Sequence, residues 1–266
     1  MKILIDHRRI EDIPVLEFYN PEASEKLPLV LIMHGFSGRK EHCFSQGYQL
    51  AQRGYYTVSI DLYLHGEACD GEFIPAQVAP RLDEVLARSA EYIERLVSFY
   101  AGDRVADGTR IGLLGISLGG VVIYRYLPRR SPHIRTAVVQ VAGAAPFWPV
   151  TIRKIMQHYP EFGVTEVMIA VVEQRTAAEA FLEGVADFPL LMQYGQADPI
   201  VPIEEVRRVY QQIKERYTRP ELLELVEYPQ TGHETPPAMF ERVWEWFEKY
   251  LRGAVPCSLP SSGGRK

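Results

Sequence analysis

Apolar and polar residues alternate along residues 2–10 and again along 14–19, the period of two expected of half-buried strands. The pattern predicts two antiparallel strands joined through Glu11-Asp12-Ile13, then a polar loop from Pro21 to Lys26. Leu29-Val30-Leu31-Ile32-Met33 is apolar without a break, as in a strand buried on both faces, and it ends in His34-Gly35. Residues 42–53 read as a helix stopped by Gly54, Tyr56 to Asp61 as a strand, and 81–100 as a long amphipathic helix after Pro80. A strand at 110–116 follows, then a helix to Leu127 and a strand from Thr136 to Val141. The pattern closes with a strand at 189–194, a helix at 203–217, a strand at 222–228 and a helix at 237–251.

Strands alternating with helices predict an α/β fold, a mostly parallel sheet with helices on both faces. Residues 145–187 break the rhythm, being longer than a simple crossover needs. Their helical patterning and their aromatics, Phe147, Trp148, Tyr159 and Phe162, predict a small helical cap over the strand ends. The competing reading is a crossover helix with long loops. Residues 1–252 then form one domain, and 253–266, rich in Pro, Ser and Gly, a flexible tail.

At 47% hydrophobic, the chain can build a sizeable core, and its net charge of −5 comes with no basic stripe, so nucleic acid is not an expected partner. The apolar run at the N-terminus is too short for a signal peptide, and no stretch approaches the ~20 apolar residues of a membrane span. Cys43, Cys69 and Cys257 are odd in number and lack metal-ligand spacing. A cytoplasmic monomer or homodimer with reduced thiols is expected.

Candidate chemistry collects at predicted strand ends, where open α/β sheets place their sites. Gly115-Ile116-Ser117-Leu118-Gly119 lies between the strand at 110–116 and the helix after it. A serine between two glycines at such a junction is the pattern of a nucleophile elbow, a strained turn that exposes the hydroxyl. Side chains at Gly115 or Gly119 would collide with the neighbouring strand and helix. A serine hydroxyl needs a base, and the base needs an orienting acid. Downstream of the elbow, His133 falls at the wrong end of the sheet and His158 in the predicted cap. His233 follows the strand at 222–228, on a loop that Gly232 is expected to bend back over the sheet edge. For the acid, Asp187 precedes its strand, whereas Asp198 follows the strand at 189–194 on a turn between Gly195 and Pro199.

The order Ser117, Asp198, His233 is that of α/β-hydrolases. The chain resembles that superfamily over about residues 1–252, through His34-Gly35-Phe36, the Gly115–Gly120 elbow, Gly195-Gln196-Ala197-Asp198 and Gly232-His233. Within it, the opening Pro28-Leu-Val-Leu-Ile-Met-His-Gly-Phe36 is similar to bacterial carboxylesterases and to the dienelactone-hydrolase and prolyl-oligopeptidase-like branch. The resemblance implies two oxyanion-hole amides, from Phe36 and Leu118. It also implies that Asp61-Leu-Tyr-Leu-His65-Gly-Glu67 is the family's Asp-x-x-x-His-Gly loop, with His65 structural. Lys40-Glu41-His42 reads as a solvated helix start or a substrate contact.

A serine hydrolase acting on short-chain carboxylic esters, with no metal or organic cofactor, is the expected activity. Phe36, Tyr63, Leu118, Phe147 and Trp148 are candidate apolar walls, the last two equally readable as cap packing. Peptidase or aminoacyl hydrolase, thioesterase or acyltransferase activity would use the same triad. A non-catalytic binding protein on this scaffold is the alternative of a different class.

Overall fold

The computed structural model describes residues 1–143, 153–155, 157–162, 182 and 184–253. A hairpin opens the chain: β1 (Leu4–Ile10) and β2 (Ile13–Tyr19) pair antiparallel, Ile10 against Ile13 and Leu4 against Tyr19. Six parallel strands follow: β3 (Leu27–Met33), β4 (Tyr56–Ile60), β5 (Ala106–Ile116), β6 (Ile134–Gln140), β7 (Leu190–Gly195) and β8 (Leu223–Tyr228). Their order across the sheet is β1-β2-β4-β3-β5-β6-β7-β8, with β2 antiparallel to β4. The chain therefore starts at the β1 edge, skips one place to β3, returns to insert β4 between β2 and β3, and builds the other half strand by strand from β5 to β8.

Helices described along their whole length include α1 (Phe44–Gln52), α2 (Pro75–Val78), α3 (Leu82–Tyr100), α4 (Leu118–Tyr126), α5 (Ile203–Lys214) and α6 (Pro237–Phe247). The unbroken apolar strands serve two cores. Leu29, Leu31 and Met33 join α3, α4 and α5, while Val30 and Ile32 join Leu50 of α1 and Val243, Trp246 and Phe247 of α6. Alternate residues of a strand point to opposite faces, so a strand covered by helices on both sides must be apolar at every position.

Element boundaries move in places. A 3-10 turn, Lys40–Cys43, precedes α1, and a π turn, Glu248–Arg252, prolongs α6. β5 starts at Ala106, before the expected 110, because Ala106 and Asp107 pair with Leu27 and Pro28 ahead of a bulge. Within the bulge the Asp107 carboxylate accepts the Thr109 N–H at 3.0 Å, turning the chain before the ladder resumes at Ile111. Most of the predicted cap, with Phe147 and Trp148, and the tail from 254 lie outside the described residues. Pro160–Phe162, within the predicted cap, packs against α2. No helix among the described residues is long and apolar enough to cross a membrane.

Candidate active site

The sharp turn between β5 and α4 holds Ser117 at φ 51° and ψ −113°. A non-glycine residue in that region costs on the order of 1–3 kcal/mol and persists only where its surroundings impose it. Here the surroundings do so. Ser117 N–H donates to the Gln140 carbonyl at 2.8 Å, and the Gly119 N–H donates to the His34 carbonyl at 3.0 Å. A Cβ at Gly115 would lie 2.5 Å from the Gly119 carbonyl, and one at Gly119 would lie 2.3 Å from the Met33 carbonyl oxygen. The two glycines are thus required by close approach of backbone to backbone.

Ser117 Oγ lies 3.0 Å from His233 Nε2, and His233 Nδ1 lies 2.8 Å from Asp198 Oδ2. The residues come from the ends of β5, β7 and β8. Asp198 Oδ1 also accepts the Ile200 and Val201 N–H groups, at 2.8 and 2.9 Å. With its side chain fully buried and three donors on it, Asp198 is a fixed acceptor that sets the proton of His233 on Nδ1 and leaves Nε2 to accept from Ser117. The imidazole side chain remains 23% exposed, open to an approaching ligand.

The turns carrying Asp198 and His233 are zipped together. Gln196 N–H donates to the Tyr228 carbonyl and Ala197 N–H to the Thr231 carbonyl, both at 2.9 Å. The glycine this geometry requires is Gly195, where a Cβ would lie 2.2 Å from the Thr231 carbonyl oxygen. Gly232 does not play the expected part: a Cβ there would meet open space, and the left-handed residue of the loop is Gln230, at φ 58°. Asp187, as expected, is remote from this group, and accepts the Thr218 and Arg219 N–H groups.

Phe36 lies in the turn Gly35–Gly38, closed by a 3.0 Å bond from the Gly38 N–H to the Gly35 carbonyl. A Cβ on Gly35 would stand 3.4 Å from the Ser117 Cβ, so this turn lies directly beside the elbow. Leu118 is the first residue of α4, where helix geometry leaves an N–H without an intrahelical acceptor. The Phe36 ring meets His65 and Phe73 edge-on, at centroid distances of 5.6 and 5.5 Å.

His34 and His65 are both buried away from catalytic geometry. His34 donates from Nδ1 to the Gly35 carbonyl at 2.7 Å and accepts the Leu62 N–H on Nε2 at 3.1 Å. Burial pushes its pKa down to about 3, so it is a neutral strut between the two loops. His65 donates from Nδ1 to the Tyr63 carbonyl at 2.9 Å, and burial lowers its pKa as well. Tyr63 itself is turned onto α3. Its hydroxyl donates to Glu84 at 3.1 Å and its ring faces Tyr92, so the structure does not bring this candidate substrate contact to Ser117.

Lys40 departs most from expectation. Instead of opening a solvated helix, its side chain is 1% exposed, and its ammonium reaches Glu67 at 2.7 Å, Glu41 at 2.9 Å and Asp61 at 3.1 Å. Asp61 also accepts the Lys40 and Glu67 N–H groups, at 2.7 and 2.9 Å. The clue in the sequence was the Asp61…Gly66-Glu67 loop itself, since a buried aspartate at a strand end calls for a cation. His7, Glu41 and Glu67 bring ligand atoms within 4.8 Å of one another. The Lys40 ammonium already bonds both carboxylates and stands as the cation of that cluster. Among the described residues, Cys43 and Cys69 are free thiols; burial raises Cys43 to about 12, which keeps it unreactive.

Comparison with known proteins agrees with this architecture. "Putative esterase YitV" of Bacillus subtilis (strain 168) is 29% identical over 257 residues, covering 94% of this chain and 100% of that protein. "Esterase YjfP" of Escherichia coli (strain K12) is 27% identical over 259 residues, with the same coverage. Among solved structures, Est1E from Butyrivibrio proteoclasticus with ferulic acid bound superposes with a TM-score of 0.70 at 20% identity, over 93% of this chain and 100% of that one. The model of the dienelactone hydrolase family matches residues 17–234. The chain belongs to the dienelactone hydrolase family, and is an α/β-hydrolase of the carboxylesterase type.

Proposed function

We propose that the protein hydrolyses small uncharged carboxylic esters through an acyl-enzyme on Ser117. The observation that carries this reading is the continuous bond path from Ser117 Oγ through His233 to Asp198, at 3.0 and 2.8 Å, on a strained elbow. His233 Nε2 takes the hydroxyl proton as Oγ attacks the ester carbonyl, and Asp198 stabilises the imidazolium that results. The Phe36 and Leu118 amides hold the oxyanion, each donor contributing on the order of 3 kcal/mol in such sites. The tetrahedral adduct collapses, the C–O bond to the alcohol breaks, and His233 returns its proton to the departing alkoxide. Water then repeats the sequence on the acyl-enzyme, releasing the acid and restoring Ser117.

The preference for a small uncharged acyl group rests on the surroundings. Phe36 stands in the turn beside Ser117, and Phe73 packs edge-on against its ring, both partly buried and apolar. The charged groups near the oxyanion turn are bound to one another in the Lys40 cluster. The names of the two curated relatives, both esterases, support the same class. A p-nitrophenyl ester series of increasing acyl length, run beside aminoacyl nitroanilides, tests the assignment. We expect the highest kcat/KM on short acyl chains, and a Ser117→Ala variant that is folded and without turnover. Ester turnover retained by folded Ser117→Ala would refute the nucleophile. Faster nitroanilide cleavage would move the protein to the peptidase reading.

A further inference from the structure

Strands β5, β7 and β8 deliver the proposed triad, and a buried side-chain bond path runs from β6 across β7 to β8. Gln140, the last residue of β6, donates from Nε2 to the Gln193 Oε1 at 2.9 Å. Gln193, in β7, donates from Nε2 to the Tyr228 hydroxyl at 2.7 Å and to the Met239 carbonyl at 2.8 Å. Gln140 is 1% exposed and Gln193 is fully buried. Neither position calls for an amide on packing grounds. Residues two apart on a strand share a face, and Val138 and Leu191, on that face, are apolar members of the core beneath α6. Burying an amide costs free energy unless its bonds are made, and the Gln140 Oε1 finds no partner among the described residues.

The placement of these bonds relative to the triad suggests a use. Tyr228 is the last residue before the loop that carries His233, and Met239 lies in the first turn of the helix after it. One carboxamide nitrogen, the Gln193 Nε2, therefore holds both the entry and the exit of the His233 loop. Its carbonyl is bonded to Gln140, whose backbone carbonyl accepts the Ser117 N–H. Asp198 lies five residues beyond Gln193 on the same strand exit.

We propose that Gln193 is a positioning residue: with Gln140 and Tyr228 it fixes the His233 loop at the distance from Ser117 that proton transfer requires. The proposal rests on the serine-esterase reading above. Gln193 acts from beneath the loops through Tyr228 and Met239, so it should govern the chemical step and leave substrate binding alone. Displacing catalytic groups by about 1 Å can cost about 100-fold in rate.

The test is the rate at which a fluorophosphonate labels Ser117, expressed per folded molecule, in the wild type, Gln193→Met, Tyr228→Phe and the double variant. This rate depends on activation of Ser117 by its base, whatever the natural substrate. Thr136→Val is the structural control. It removes the bond from the Trp246 indole to Thr136, 2.7 Å, and the bond from the Thr136 hydroxyl to the Pro189 carbonyl, 2.9 Å, which tie β6 to α6 and to the start of β7. We expect Gln193→Met to slow labelling about 30-fold and Tyr228→Phe about threefold, with the double variant within about twofold of Gln193→Met, since residues in one network do not add. On a p-nitrophenyl ester, kcat should fall in parallel while KM stays within about twofold. Thr136→Val should lower the melting temperature and leave the labelling rate of the folded protein unchanged. Labelling within twofold of wild type in Gln193→Met overturns the proposal; if that variant does not fold, the same result in Tyr228→Phe does so. Slowing of Thr136→Val to the same degree also overturns it, because the loss would then be general loosening. A wild type that is not labelled at all refutes the serine reading, and this inference with it.

Discussion

Asp61 and Asp198 occupy matching places at the carboxyl end of the sheet, just beyond β4 and β7, and both are buried. Each accepts two backbone N–H groups: Lys40 and Glu67 for Asp61, Ile200 and Val201 for Asp198. They differ in the third partner. Asp61 receives a buried ammonium from Lys40, and Asp198 receives an imidazole whose other nitrogen faces a serine hydroxyl. A lysine beside a carboxylate forms a permanent ion pair. An imidazole beside the same carboxylate is held in one tautomer and can still gain and lose a proton at its far nitrogen. The same side chain at equivalent strand ends is thus an ion-pair clamp in one loop and, in the function proposed above, an orienting acid in the other, and the partner decides which.

The largest contrast is expected on removing the charge of Asp198. Asp198→Asn should keep the fold and lower kcat by about 10⁴, as when the imidazole is left in the wrong tautomer. Steady-state kinetics beside a thermal melt would show it, and a loss below tenfold would place Asp198 with Asp61 as a structural group. Lys40→Met is the mirror experiment. It leaves the Asp61 carboxylate buried without its ammonium, which should cost about 3–5 kcal/mol of stability in urea unfolding. Turnover per folded molecule should stay within about tenfold of wild type.

His34 joins the Asp61 loop to the Gly35–Gly38 turn and makes that contact sensitive to acid. Its pKa is 6.5 unperturbed and about 3 when folded, held down by burial. Below pH 6.5 the unfolded chain takes up a proton that the folded one refuses, so stability falls as pH drops toward 3. Between pH 6.5 and pH 4.5 the loss from this group should approach ~2–3 kcal/mol. Urea midpoints of the wild type and His34→Gln at pH 7 and pH 4.5 would measure it, and equal acid sensitivity in both would show that His34 does not contribute.

The strands, and the three residues that the structure brings into one bond path, Ser117, Asp198 and His233, were legible in the sequence because each had a local signature. Unbroken apolar runs marked strands covered on both faces, and glycines around Ser117 marked an elbow whose crowding the structure shows directly. Position after a strand marked Asp198 and His233. Contacts between distant segments were not legible. Lys40 read as solvated because its partners Asp61 and Glu67 lie 21 and 27 residues away. Tyr63 read as a pocket wall because nothing nearby in the chain announces Glu84 on α3. Gly232 offers no sign in the sequence that it has room to spare while Gly195 has none, since only the packing of one turn on the other tells which glycine is crowded. Gln140 and Gln193 passed as ordinary strand residues, because a buried amide chain shows only once its members are in contact.

The central claim is that Ser117 carries the acyl group. Rapid quenching of the protein with p-nitrophenyl acetate in the burst phase, followed by peptide mapping, tests it most directly. We expect one acetylated peptide, the one containing Ser117, formed in the wild type and absent in Ser117→Ala. An acetyl group on any other side chain at the rate of the burst, or ester turnover with no acylated peptide, would contradict it.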